Sequence, residues 1–337
     1  MNDCKNKIPK LKIALLVVGT RGDVQPFLAL ALRLQEYGHY VRLATHSQFH
    51  GFVKSVGVDF YPLGGDPRIM AECFVRARSI LLPRPGDMAL QRKQLKAIIE
   101  SLLPACTQPD PVSGEPFTAQ AIIANPPAFG SKDIAEALDV PLHIMFTVPW
   151  TPTRAFPHPF TQRAGRPLKK SEKLTAMILE ALKKTGQRGI IDPGWGDLGT
   201  NVDISDDVFV LSDCPHDWLF PQCYAVVHHG GPGTAAAGVK AGCPTMVVPF
   251  CGDQFLWGEI MHHKGVGPAP IPIPHLTVES LSKAITFMLQ PQVKSRAMEL
   301  AESINAEDGV GAAVGAFHRH LPTPFSDQDP SANLLHY

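Results

Sequence analysis

Three short stretches carry the residue types that chemistry would need. The richest is His228-His229-Gly230-Gly231-Pro232-Gly233-Thr234, which runs straight into the small-residue stretch Ala235 to Gly238. Its glycines let a backbone come close to a ligand. Free amides at a helix start, helped by the Thr234 hydroxyl, suit a phosphate, and a tight turn built for packing alone is the competing reading. The second stretch is Gly19-Thr20-Arg21-Gly22-Asp23. A dinucleotide site asks for GxGxxG and an acid about 20 residues on. Here the glycines are spaced GxxG, and the next strand ends Leu43-Ala44-Thr45-His46 with no acid. What the stretch does offer is Asp23, a carboxylate able to take a proton from a bound hydroxyl, or else a helix N-cap. The third is Asp253-Gln254, a carboxylate beside an amide, which suits vicinal hydroxyls or the capping of the helix that follows.

Other chemistry finds little support. The adjacent pairs His228-His229 and His262-His263 lack the i, i+4 or CxxC spacing of a zinc site. No GxSxG elbow places a serine nucleophile. Asp327-Gln328-Asp329, an acidic pair that could hold a metal and a diphosphate, reads better as part of a solvated Pro and Ser-rich tail.

Each stretch follows an apolar run of the kind that forms a strand buried on both faces of a parallel sheet. Leu11 to Val18 ends at Gly19, and the apolar positions Val24, Phe27, Leu28, Ala31, Leu32 and Leu34 then predict a helix with Pro26 in its first turn and Gly38 as its stop. Tyr40 to Ala44 and Val58 to Leu63 read as strands around a helix at Gln48 to Val56, which is βαβ grammar. Further strands are expected at Ala121 to Ala124 and Leu142 to Val148, with a helix at Ser131 to Leu138 between them. Pro149 to Pro167 is rich in Pro, Thr, Arg and His, which neither a helix nor an interior strand tolerates. Beyond it the pattern predicts a helix at Ser171 to Thr185 and strands at Arg188 to Ile191, Val208 to Leu211, Ala225 to His228 and Thr245 to Pro249. Helices are expected at Thr234 to Ala241, Gln254 to His263, Val278 to Leu289, Val293 to Ala306 and Val310 to His320. The expected organisation is a first domain over residues 1–165, a second over 166–322 and a flexible tail over 323–337, with no fixed-period repeat.

The 337 residues, 45% hydrophobic and 18% charged, suffice for one large or two ordinary domains. Lys plus Arg and Asp plus Glu both number 31, so no basic excess points to nucleic acid. Cys4, Cys73, Cys106, Cys214, Cys223, Cys243 and Cys251 are scattered, without a CxxC pair, and suit reduced thiols in an intracellular protein. The Lys-rich start has no apolar core of a secretory signal, and no stretch reaches the roughly 18 apolar residues of a membrane span. The expectation is a cytoplasmic chain, peripheral at most on membranes.

Val18-Gly-Thr-Arg-Gly-Asp-Val-Gln-Pro26, Phe60-Tyr-Pro-Leu-Gly-Gly-Asp66, Pro149-Trp-Thr-Pro-Thr153, Pro215-His-Asp-Trp-Leu-Phe-Pro221, His228 to Thr234 and Val248-Pro-Phe-Cys-Gly-Asp-Gln254 occur in this order. Together they resemble the UDP-glucose:sterol glucosyltransferases, particularly the plant type, over about Lys10 to Phe160 and Leu174 to Pro322. The resemblance implies an α/β fold of two facing Rossmann-like domains (GT-B), with the sterol in the first, UDP-glucose mainly in the second, and no cofactor or metal. It implies glucose transfer to a sterol 3-hydroxyl with inversion. By implication Asp23 is the general base, and Trp218 lies in the segment flanking uracil and ribose. His229, Gly231, Gly233 and Thr234 match the diphosphate cradle, and Asp253 and Gln254 match the residues that hold glucose hydroxyls. The implied partners are a UDP-sugar donor, a sterol or other lipid acceptor and a membrane surface, with no nucleic acid.

Two departures from the family stand out. Pro232 occupies a position where the family usually has Ala, removing one amide donor. After Phe160 only about a dozen linker-like residues precede a helix, so the end of the acceptor domain, the interdomain connection and the donor domain's first strand are missing. Neither half reaches the roughly 180 residues of six βα units at about 30 each, and both domains are expected to be incomplete. The sequence therefore leaves open an impaired splice or gene-model remnant that only binds a nucleotide sugar, and a glycosyltransferase for another lipid acceptor. A dehydrogenase on a similar scaffold is opposed by the missing ribose acid.

Overall fold

The computed structural model describes residues 8–70, 85–148, 171–193, 198–199, 203–211, 214–250 and 252–322. They fall into two units: the described residues of 1–65, 95–145 and 308–337, and those of 66–94 and 146–307. The predicted boundary at 165/166, the Pro149–Thr153 motif, Phe160 and the tail 323–337 lie outside the described residues.

In the first unit β1 (Lys12–Leu16), α1 (Arg21–Glu36), β2 (Tyr40–His46), α2 (His50–Lys54) and β3 (Asp59–Leu63) follow in turn. Then come α3 (Pro85–Thr107), whose first residues belong to the other unit, β4 (Ala121–Ala124), α4 (Ser131–Leu138) and β5 (Leu142–Ile144). The five strands form one parallel sheet in the order β3-β2-β1-β4-β5, with Leu15 level with Leu43 on one side and with Ile123 on the other. Ile13, Leu15, Leu43 and Ile123 are fully buried, because helices cover both faces of a parallel sheet. The order reverses between β1 and β4, and in open α/β sheets the crevice at that reversal is where ligands bind.

The helix predicted around Pro26 starts five residues earlier, at Arg21, because Thr20 and Asp23 form a capping box across its first turn. Pro26 is therefore inside the helix, where it removes the amide that would bond to Gly22. The helix predicted at Gln48 to Val56 is a 3₁₀ turn (Ser47–Phe49) followed by α2, and the strand predicted to reach Val148 ends at Ile144. The 23-residue α3 was not foreseen, although Ile98, Leu102, Ala105 and Cys106 are buried at helical spacing.

The last helix, α11 (Gly309–Arg319), completes this first unit. Val314 and Phe317 are fully buried in its core, Arg33 Nη1 reaches Asp308 Oδ2 at 3.1 Å, and His39 and His318 meet Nε2 to Nε2 at 2.9 Å.

The second unit holds α5 (Ser171–Thr185), β6 (Gly189–Ile191), β7 (Val208–Val210), α6 (His216–Leu219) and β8 (Val226–His228). These are followed by α7 (Pro232–Lys240), β9 (Thr245–Val247), α8 (Gln254–His263), α9 (Val278–Met288) and α10 (Pro291–Asn305). Among the described residues these strands make two parallel pairs, β6-β7 and β8-β9. Each strand is only three residues long, and Phe209 and Val227 are 64% and 47% exposed, so apolar strand surface that a fuller sheet would cover faces outward.

Candidate active site

The β1–α1 loop leaves the sheet at the reversal point. Val17 N–H still donates to Ala44 O of β2 at 2.9 Å, but the next amides have no strand partner. Side chains take their place: Val18 N–H donates to Asn125 Oδ1 at 3.0 Å, Gly19 N–H to His46 Nε2 at 3.3 Å and Thr20 N–H to Asp23 Oδ2 at 2.7 Å. Asn125 also donates to Val18 O at 2.8 Å, so one buried amide closes both ends of the Val18 peptide. His46 contacts Gly65 O through Nδ1 at 3.1 Å. A carbonyl only accepts, so the proton sits on Nδ1 and the ring is neutral. Gly19 has φ +147°, and a Cβ there would strike the Asp23 carboxylate, so the carboxylate lies directly against a position that only glycine fills. Half-buried at the third position of α1, Asp23 is the capping-box acceptor beside the loop that leaves the sheet at its reversal point.

In the second unit the other candidates gather around the carboxyl ends of β8 and β9. Gly230, at φ +94°, lies against Val247 of β9 and within 2.9 Å of the Gln254 carbonyl for any added Cβ, which brings the glycine loop onto the start of α8. Gly231 is the N-cap of α7 and Pro232 its first residue. At that first position the amide that proline lacks has no helical partner in any case, and its fixed φ suits the helix. The Gly233 and Thr234 amides follow as the helix's unpaired N-terminal donors, so Pro232 removes a donor without distorting the cradle. The helix begins two residues before the predicted Thr234.

His228, which the sequence reading left out of the site, fixes this loop. Its Nδ1 accepts the Gly230 N–H at 2.9 Å, and its Nε2 is buried without a hydrogen-bond partner among the described residues. Burial, reinforced by His229 and His216, pushes its pKa down to about 3 and keeps it neutral. His229 is exposed beside the loop, its Nε2 close over Gly231. Trp218, on the short α6 that packs on α7, is 62% exposed and offers a flat aromatic face.

Asp253 and Gln254 are already engaged locally. Asp253 Oδ2 accepts the Trp257 indole N–H at 2.9 Å, and Gln254 Oε1 accepts the Phe250 amide at 2.7 Å. Asp253 stands at the N-cap position of α8, yet its side chain does not cap the helix. Burial raises its pKa, opposed by the Trp257 hydrogen bond. All seven donor-side candidates are thus on one unit and Asp23 on the other. The supporting residues Asn125, His46 and His228 were missed, although Asn125 is a lone amide directly behind an apolar strand.

The family models that match are the glycosyltransferase family 28 N-terminal domain over residues 13–157 and the erythromycin biosynthesis protein CIII-like C-terminal domain over residues 194–311. The chain is 47% identical to sterol 3-beta-glucosyltransferase UGT80B1 of Arabidopsis thaliana, across 98% of this chain and 73% of that protein. It is 42% identical to UGT80A2 of the same plant, across 94% of this chain and 66% of that protein. Among solved structures, the glycotransferase of kitacinnamycin superposes with a TM-score of 0.69 at 16% identity, covering 94% of this chain and 100% of that one. The glycosyltransferase VinC in complex with DTDP gives 0.63 at 18%, covering 92% and 99%.

The fold is therefore that of the two-domain GT-B glycosyltransferases, and the chain is a glycosyltransferase. Within that class it belongs to the family of sterol 3-beta-glucosyltransferases. The match to the first relative runs over 447 positions against the 337 residues of this chain, so at least 110 of those positions have no counterpart here.

Proposed function

We propose that this chain transfers glucose from UDP-glucose to the 3-hydroxyl of a sterol, with inversion at the anomeric carbon. The observation that carries the reading is the 47% identity to a sterol 3-beta-glucosyltransferase over nearly the whole chain, with both glycine loops at the carboxyl ends of parallel strands. Asp23 accepts the hydroxyl proton while the oxygen forms its bond to the anomeric carbon. The bond from that carbon to the diphosphate breaks on the opposite face, and UDP leaves with the electron pair. The growing charge on the diphosphate is met by the Gly233 and Thr234 amides, the Thr234 hydroxyl and the N-terminal end of the α7 dipole, so no divalent ion is required. Trp218 stacks on the uracil, His229 and Gly231 line the phosphates, and Asp253 and Gln254 take the glucose hydroxyls. The sterol is presented from a membrane surface that the enzyme visits. Among the described residues no helix is long and apolar enough to cross a membrane.

The test is steryl glucoside formation by the purified chain from labelled UDP-glucose and sterol-containing vesicles, with and without EDTA. Transfer that survives EDTA supports the reading. Tighter binding of NAD than of UDP-glucose in calorimetry, or dependence of transfer on a divalent metal, overturns it.

A further inference from the structure

We propose that Asn125 is a positioning residue for the transfer reaction, holding the β1–α1 loop so that the Asp23 carboxylate keeps its place at the crevice; this rests on the reading of Asp23 as the base. Asn125 is 1% exposed and is the first residue beyond β4, the strand beside β1 at the point where the sheet order reverses. Its main-chain N–H continues the ladder by donating to Leu16 O at 3.1 Å. Its side chain then does for Val18 what another strand residue would, accepting at 3.0 Å and donating at 2.8 Å.

That pairing matters because the loop has no other ladder at Val18. Two residues further on, Thr20 donates from its main chain and its hydroxyl to Asp23 Oδ2, at 2.7 and 3.2 Å. Gly19, between them, leaves the space that this carboxylate fills, since an added Cβ there would strike it. A shift of the Val18 peptide therefore passes directly to the groups that hold Asp23. An alanine at 125 leaves a buried N–H and a buried C=O unpaired, and the loop must move to hydrate them. An aspartate keeps the acceptor for Val18 N–H and loses the donor to Val18 O. The side chain of Asn125 is spent on Val18, so it acts through Asp23 and not on the ligand.

Two signatures separate positioning from mere structural support. First, the Thr20 N–H bond favours the charged carboxylate, so loosening it makes Asp23 harder to ionise. Second, the donor cradle belongs to the other unit, so the KM for UDP-glucose stays put while kcat falls. The experiment compares wild type, Asn125→Ala and Asn125→Asp by steady-state transfer across pH, and by ¹³C NMR titration of labelled aspartate carboxyls with Asp23 assigned through Asp23→Asn. The expected result is a kcat lowered about tenfold or more in Asn125→Ala and less in Asn125→Asp, an unchanged KM for UDP-glucose, and an acidic limb and an Asp23 titration both moved up by about half a unit or more. An Asp23 titration unmoved in both variants overturns the inference, as does a kcat loss matched by an equal rise in KM. Wild type that fails to transfer glucose overturns the function proposed above, and the carboxylate titration, which needs no turnover, still decides the role of Asn125.

Discussion

Acid should loosen the first unit through a single histidine. His39 accepts the Leu11 amide on Nδ1 at 3.2 Å, so its proton lies on Nε2 and is donated to His318 Nε2 at 2.9 Å. Both rings must be neutral for this arrangement. Protonating His39 puts a hydrogen where Leu11 N–H points, and protonating His318 removes the acceptor that anchors α11. Burial first, then the neighbouring His318, lowers the His39 pKa from 6.5 to about 4. A folded-state pKa below the unfolded one means that the unfolded chain binds more protons between those values, so stability rises with pH across that window. The penalty is nearly absent above pH 7, grows as pH falls through 6.5, and is complete only below 4. Between pH 7 and 5 linkage puts it at about 2 kcal/mol, or roughly 4–8 °C in Tm for a unit of this size. Thermal unfolding followed by circular dichroism at pH 7, 6 and 5 measures it. His39→Asn supplies the control, since the amide oxygen can accept from Leu11 in place of Nδ1 but does not titrate. His143 and His318, and His228 and His229 in the second unit, have pKa values that burial also lowers, so a pH dependence of the same sign stays in the variant and the His39 contribution is read as the difference between the two proteins. If wild type and His39→Asn lose the same Tm between pH 7 and 5, the reasoning about this pair is wrong.

Arg42 is fully buried, bonded to Asp59 at 2.9 Å and stacked 3.9 Å from the centre of Phe117; Arg42→Leu leaves Asp59 short of its main partner and should cost about 3–5 kcal/mol in urea unfolding, whereas a loss under about 1 kcal/mol would show the pair to be dispensable. Gly230→Ala forces a Cβ against Val247 and the Gln254 carbonyl, so calorimetry should find UDP-glucose binding at least about tenfold weaker; unchanged affinity would remove the loop from the donor site. Inserting the corresponding stretch of the Arabidopsis relatives after Phe160 should raise Tm by about 5 °C or more, as added strand surface covers Phe209 and Val227, and should raise turnover; equal values in the two chains would show that this stretch is dispensable. Asp23→Asn should abolish most turnover at near-normal Tm and UDP affinity, while Asp23→Ala should lose the cap as well, at about 1 kcal/mol; wild-type turnover in Asp23→Asn would refute its role as base.

The first sheet was legible because its central strands are buried on both faces, so Ile13 to Val18 and Ala121 to Ala124 are written as continuous apolar runs. Boundaries were less so. Thr20 and Asp23 are three residues apart, the signature of a capping box, but Pro26 was the stronger signal and drew the predicted helix start toward itself. In the second unit three-residue strands hold too few side chains to show a period, and whether β6-β7 joins β8-β9 depends on pairing between distant segments, which no local pattern records. The destination of α11 was hidden for the same reason: Val314 and Phe317 mark an apolar face, but only the fold reveals that it packs on α1. The glycine loops were readable because close backbone approach restricts residue type. Asn125, His46 and His228 were not, because a single amide or imidazole makes sense only beside the distant amide that it bonds.

The two readings of Asp23, helix cap and general base, compete on the sequence and are compatible in the structure. Capping favours the ionised carboxylate, because the Thr20 main-chain N–H and hydroxyl converge on Oδ2 and bond more strongly to a charged oxygen than to a neutral acid. A general base must also be ionised before the reaction begins. The bonds that stabilise the helix start therefore keep the group in the form the chemistry needs, and they fix its rotamer before any acceptor arrives. Proximity then does the rest: a hydroxyl held within hydrogen-bond reach needs no strong base, since the proton moves as the bond to the anomeric carbon forms. On this account the residues that matter to Asp23 are those that hold it still. Gly19 gives it room, Thr20 binds its oxygen, and Asn125 and His46 hold the two peptides just before Thr20.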